Sequence, residues 1–225
     1  MSIAHVLKGV DCRVSVELMK NSVPQPRRRP KQPRSRKRVE AILEAARNLI
    51  GEHGADSVSV REIAAQAGVP ISSVYQYFPN KSAIVAQLLA EYVAHYQARL
   101  HETFAAVRVP NDLVPAVHQA VDAYLSLFVE HPPWPNIWLA VRADPALREL
   151  DLAQATTDAR LVAALMQQLL PEADPKEVEE VAAFAILLVG SSVPYIHTMP
   201  TEISEGLLRE LKRHLTLRIE SLIQP

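Results

Sequence analysis

The sequence predicts an all-α protein, and three observations predict it. Apolar residues recur at helical spacing over most of the chain, with glycine and proline at the expected helix ends. No long alternating run of β-branched or aromatic residues marks a strand. The stretch from Ser57 to Lys81 reads as two short helices packed around a tight turn. With 225 residues, 48% of them hydrophobic, the chain is long enough for one or two domains and a substantial core.

The formal net charge of −1 hides an asymmetry. Residues 1–38 carry eleven Lys/Arg against two Asp/Glu, and residues 39–225 carry thirteen against twenty-three. A chain with its positive charge gathered at one end is arranged to meet a polyanion with that end. The single cysteine, Cys12, excludes an intramolecular disulfide and a cysteine-rich zinc site, and fits a reducing cytoplasm.

Residues 1–23 are mildly apolar but broken by Lys8, Asp11, Arg13, Glu17 and Lys20, so no signal peptide is expected. They read as a weakly structured extension, with Met19 an alternative start. Pro24 to Arg38 holds four prolines and eight basic residues, which keep the chain extended until the prolines end. This segment reads as an arm along phosphates or in a minor groove, or else as a solvated basic linker.

The first helix is expected from about Arg36 to His53, with Val39, Ile42, Leu43, Ala46, Leu49 and Ile50 on its apolar face and Gly54 closing it. Ser59 is a good N-cap for the next, and Glu62 three residues on completes a capping box. Val60, Ile63, Ala64 and Ala67 share one face, and Gly68 makes the turn. A third helix, about Pro70 to Phe78, turns Val74 and Phe78 back to the second. Ser72, Ser73, Gln76 and Tyr77 are read as a hydrogen-bonding face. Such a helix, too short to stand alone and held by packing, suits a major groove. An ordinary helical hairpin in a core would leave the same bare pattern.

Asn80 is a plausible N-cap for a long helix from about Lys81 to Ala106. Lys81 opposes that helix's dipole, a mismatch a bound phosphate would reverse. Asp112 to Glu130 is another helix, followed by the break His131-Pro132-Pro133-Trp134-Pro135. Further helices are expected at about Asp144–Leu170, Pro175–Ile196 and Thr201–Leu222. Val181 to Thr201 lacks Asp, Glu, Lys and Arg, but Gly190, Ser191, Ser192, Pro194, His197 and Pro200 interrupt it, which argues against membrane insertion. A helix apolar all round is expected to be buried, here between subunits or within the chain.

Ile-Ala-x-x-Ala-Gly-Val at 63–69 and Val-Tyr-x-Tyr-Phe-x-x-Lys at 74–81 resemble the DNA-binding domain of the TetR family of bacterial transcriptional regulators. The likeness is close over about residues 38–85 and architectural beyond. Pro70 stands where the family usually has Ser or Thr, and Ser72 where it often has Gly, so operator preference is not carried over.

The resemblance implies an N-terminal three-helix DNA-binding domain with a helix-turn-helix (35–82) after a basic extension (1–34), then a helical effector-binding and dimerisation domain (83–225). It implies a homodimer on a palindromic double-stranded operator, a repressor sooner than an activator, released by a small and largely apolar effector. Ile71, Ser72, Ser73, Gln76 and Tyr77 are the expected groove residues; Ser59, Tyr75, Lys81, Arg36 and Arg38 are expected at the DNA backbone. Aromatics near a helix break can line an apolar pocket, and Tyr124, Phe128, Trp134, Trp138, Met166 and Phe184 are the candidates for the effector site. The last two helices are expected to pair with their copies in a four-helix dimer interface.

His118 and Asp122, four apart, lack a third residue at ligand spacing, so no metal is expected, and no cofactor. No nucleophile elbow, phosphate loop or dinucleotide glycine pattern is present. The competing classes are a helical enzyme and an apolar-ligand carrier, neither of which has a use for the basic segment and the helix-turn-helix.

Overall fold

The computed structural model describes residues 33–223, and these form nine α-helices and one 3-10 turn with no strand among the described residues. In order the helices are α1 (Pro33–His53), α2 (Val60–Gln66), α3 (Ile71–Tyr77), α4 (Lys81–Ala105), α5 (Leu113–Glu130), α6 (Trp134–Ala143), α7 (Pro145–Leu169), α8 (Pro175–Ile196) and α9 (Thr201–Ile223). The Cys12 and Met19 positions and the basic residues Arg27, Arg28, Arg29 and Lys31 lie outside the described residues.

Two features differ from the sequence reading. The helix begins at Pro33, not Arg36, so Arg34, Arg36, Lys37 and Arg38 sit in its first turns and not on an extended arm. Proline is at home at a helix start, where its missing N–H has no intrahelical partner to lose. The run of prolines at 131–135 is also not a break throughout. Helix α6 starts at Trp134 with Pro135 in its first turn, and the Trp134 N–H donates to the His131 carbonyl at 2.8 Å.

The described residues pack as two compact units. One comprises 33–94 and 131–151, the other 95–130 and 152–223. This grouping by packing cuts α4 and α7 and places α6 beside α1, whereas the functional boundary expected at 82/83 follows the sequence.

In the first unit, α1 buries Ile42, Leu43, Ala45, Ala46 and Ile50, and packs on α2 and α6. Its end is a left-handed glycine, Gly54 at φ 76°, whose N–H returns to the Ile50 carbonyl at 2.9 Å. Gly51 carries the contact with the segment before α6. A β-carbon there would lie 2.7 Å from Cβ and 2.8 Å from Cα of Pro133. The Asn136 amide also donates to the Gly51 carbonyl at 2.8 Å. Tyr92 of α4 stacks on Trp134, with centroids 4.2 Å apart, and meets His131 edge-on.

In the second unit, α9 packs against α8 and α5. His118 and Asp122 face α9: the His118 Nε2 lies 2.9 Å from the Thr216 hydroxyl, and Lys212 donates to Asp122 at 2.6 Å. The pair fastens two helices together. No group of three metal-ligating side chains occurs among the described residues. Helix α8 is long and apolar enough to cross a membrane by length and composition alone. Within the chain it is buried on one face only, through Val178, Val181, Ala182, Val189, Val193, Pro194 and Ile196. Phe184, Leu187 and Tyr195 are 48%, 52% and 58% exposed.

Gly51→Ala is expected to lower stability by about 1–3 kcal/mol, because a methyl group would be forced against the Pro133 backbone. Chemical denaturation checks this, and an unchanged midpoint would show that the α1–α6 contact relaxes without cost.

Candidate nucleic-acid interface

Local sequence fixes the two short helices at both ends. The Glu62 N–H donates to the Ser59 hydroxyl at 3.2 Å, and the Ser59 N–H donates to the Glu62 carboxylate at 2.7 Å. The Ser59 hydroxyl also donates to that carboxylate at 2.7 Å. These bonds hold the Glu62 carboxyl below its ordinary range, the Ser59 hydroxyl contributing most. Gly68, at φ 64°, makes the turn, and the Val69 N–H closes on the Ala64 carbonyl at 3.1 Å. Pro70 is the N-cap of α3 and supplies no side-chain cap; its carbonyl accepts from the Ser73 N–H at 2.8 Å.

Around α3 the side chains divide by angle. Val74, Tyr77 and the following Phe78 are 0%, 4% and 1% exposed. Ile71, Ser72, Tyr75 and Gln76 are exposed, with Ser73 at the boundary. Tyr77 therefore does not share the groove-facing surface expected of it. It lies about 60° from Val74 around the helix, on the packed side, and its hydroxyl had suggested a polar face that its angle rules out.

Lys81 and Ser59 are also committed elsewhere. The Lys81 ammonium donates to the Ala55 and Val58 carbonyls, the latter at 2.9 Å, and so ties the α1–α2 loop to the start of α4. The groove beside it is lined by Asp56 and Asp144, whose charge opposes an anion there. Lys81 thus braces the loop before α2 against the start of α4. Asn80 caps α4 as expected, accepting from the Ala83 N–H at 2.9 Å. Arg36 is exposed in the second turn of α1 and Arg38 is half-buried.

A family model described as bacterial regulatory proteins, tetR family, matches residues 42–88. A second, described as the tetracyclin repressor-like C-terminal domain, matches 111–221. Together they take in α2, α3 and almost all of α5 to α9.

The chain belongs to the TetR family.

Its similarity to individual members is uneven. It is 38% identical over 61 residues to the fatty acid metabolism regulator protein of Bacillus subtilis, covering 27% of this chain and 31% of that protein. It is likewise 38% identical over 53 residues to an uncharacterized HTH-type transcriptional regulator of Mycobacterium tuberculosis, covering 24% and 28%. The chain thus matches less than a third of the length of these relatives.

Solved structures agree in fold over more of the chain. A TetR-family regulator of Pectobacterium atrosepticum superposes with a TM-score of 0.64 at 19% identity, covering 86% of this chain and 97% of that one. FadR of Bacillus subtilis in complex with stearoyl-CoA does so with a TM-score of 0.59 at 19% identity, covering 82% and 97%.

The six residues expected at an effector site in this TetR-family chain are divided between the two units. Trp134 and Trp138 are buried in the first unit, Trp138 with the Arg142 guanidinium 5.6 Å from its ring centroid. Tyr124, Phe128 and Met166 belong to the second unit, where the Tyr124 and Phe128 rings meet edge to face at 5.6 Å. Phe184 is on the exposed face of α8.

The sequence reading missed Tyr96, whose ring meets Tyr124 at 5.0 Å, and His197, 5.7 Å from Phe128. Burial pushes the Tyr96 hydroxyl well above its ordinary pKa, with the charge of Asp158 adding to the effect. A buried polar cluster was missed as well. The Asp158 Oδ1 accepts from the amides of Gln97 at 3.2 Å and Gln154 at 2.9 Å. Only the order of residues along α4 and α7 hints at these, as polar side chains in otherwise apolar stripes.

Lys81→Met is expected to lower stability by about 1–3 kcal/mol, since two loop carbonyls lose their donor. Unchanged unfolding with weakened DNA binding would instead assign Lys81 to phosphate alone. Glu62→Gln is expected to destabilise at neutral pH, with the gap from the wild type closing on acidification. The folded-state pKa of Glu62 is depressed, so its contribution is present above the ordinary value of 4.5 and is lost as pH falls through the folded value. A gap that stays constant down to pH 3 would contradict a carboxylate cap.

Proposed function

We propose that the protein is a DNA-binding transcriptional regulator that acts as a homodimer, most simply a repressor, on a palindromic operator. The observation that carries this is the division of α3 into a packed side and an exposed side. The buried residues fix the helix on its unit, and the exposed Ile71, Ser72, Tyr75 and Gln76 offer one turn of contacts to a major groove. Arg36 and Arg38 at the start of α1, and the basic residues before them, supply attraction to phosphate that is indifferent to sequence. A carrier or an enzyme would have no use for this arrangement.

The uncovered apolar side chains of the last two helices support a homodimer. Phe184, Leu187 and Tyr195 on α8, with Ile203, Leu207 and Leu217 on α9, are each at least 41% exposed, and the two helices pack together. Paired with a second copy, they would form a four-helix interface, and its two-fold axis would match that of a palindrome.

Within the second unit, Tyr124, Phe128 and Met166 remain the side chains proposed to meet an effector. The fold neighbour from Bacillus subtilis, seen with stearoyl-CoA, supports a ligand with a long apolar part. Such a ligand would release DNA only by binding unequally to the operator-competent and incompetent forms of the dimer. A regulator of this kind would work in the bacterial cytoplasm.

Selection of bound duplexes from random DNA is expected to return a palindrome, with affinity falling steeply between two salt concentrations. No enrichment, with binding that vanishes as salt rises, would reduce the protein to a basic tail on a helical body. Leu187→Asp with Leu207→Asp is expected to yield a monomer by sedimentation, and a persistent dimer would place the interface elsewhere.

A further inference from the structure

We infer that Ile71 reads the C5-methyl group of a thymine in each half-site, which makes it a specificity-determining residue of the DNA interface. The inference rests on α3 being the groove-reading helix. It begins from an anomaly of side-chain chemistry on that helix. The other purely hydrocarbon large side chains of α3 and its C-terminal cap are packed, Val74 at 0% exposure and Phe78 at 1%, and only Tyr75, which carries a hydroxyl, is exposed beside Ile71. Ile71 is 39% exposed.

The anomaly has a pattern. Ile71 and Tyr75 are four residues apart and lie one above the other, as do Ser72 and Gln76 on the adjoining stripe. The exposed surface of α3 is therefore a largely apolar stripe beside a polar one. A major groove offers the same two kinds of partner. Base edges present donors and acceptors, and thymine alone among the four bases adds a methyl group. Serine and glutamine suit the donors and acceptors. A branched aliphatic side chain has no hydrogen bond to give, so in the groove its favourable partner is that methyl. Against a phosphate or a cytosine amine it would desolvate a polar group and return nothing.

The chemistry also sets the size of the effect. Removing one methyl from water is worth a factor of about four in affinity. A palindrome contains the contact twice, so symmetric loss of both methyls is expected to weaken binding about sixteenfold.

Uracil differs from thymine only by lacking that methyl and keeps the same pairing face, so it serves as the probe. The selected palindrome is remade with uracil replacing thymine at each position in turn, symmetrically in both half-sites. Each duplex is then titrated with wild-type protein and with Ile71→Ala, whose unfolding midpoint is measured alongside. At one thymine position uracil in both half-sites is expected to cost the wild type about sixteenfold. Ile71→Ala is expected to bind thymine and uracil duplexes alike at that position, with an unchanged unfolding midpoint.

Silence at every thymine overturns the inference, as does a uracil penalty that survives intact in Ile71→Ala. Either result leaves a selected palindrome standing, and with it the regulator reading. Failure to select any palindrome removes that reading and this inference together.

Discussion

A helix of seven residues makes too few backbone hydrogen bonds to outlast its own nucleation, and α2 and α3 are both that short. Their shape has to be imposed from outside. Helix α1 does this by offering one continuous apolar face, Ile42, Ala46 and Ile50, to a core that Ile63, Ala64, Val74, Tyr77 and Phe78 complete. The capping box at Ser59, the left-handed turn at Gly68 and the Lys81 ammonium each fix one end of a segment that the core fixes in the middle. Nothing in α3 that packs is then free to read DNA, and the exposed arc is all that remains for it.

That constraint explains why several polar side chains turn inward to the protein's own backbone. Ser59 and Lys81 look like phosphate ligands when judged by residue type, but they also bond to the protein itself, Ser59 at the first turn of α2 and Lys81 to the loop before it. Rigidity is what a reader requires, because contacts to base edges discriminate only if the helix cannot shift to accommodate a wrong base. The second unit shows the opposite arrangement, with large apolar residues left on the outside of α8 and α9. A surface of that kind is unfinished in a single chain, and in the proposed dimer a second copy would complete it.

Much of this was legible in the sequence, and the reasons are specific. Helix ends announced themselves through Gly54, Ser59, Gly68 and Asn80, each of which has a backbone task no ordinary residue does as well. Pro175 to Ile196 was legible to the residue, because Asp174 caps it and Pro175 starts it. What failed was anything that depended on angle or partner. Tyr77 was placed by its hydroxyl and not by its position around α3. Helix α6 went unseen because prolines at its start read as a break, though proline in a first turn opens a helix as readily as it ends one. Buried pairings such as Gln97 with Asp158 join residues 61 apart, and no local spacing says which polar residue meets which.

The central claim is that reading helices are presented in pairs by a dimer built from α8 and α9. The most direct measurement is the mass and stability of the protein–DNA complex on a palindromic site, beside the same measurement on one isolated half-site. The account predicts two chains per palindrome bound cooperatively, and binding to the half-site weaker by orders of magnitude. One chain per palindrome, with half-sites bound as tightly, would contradict it.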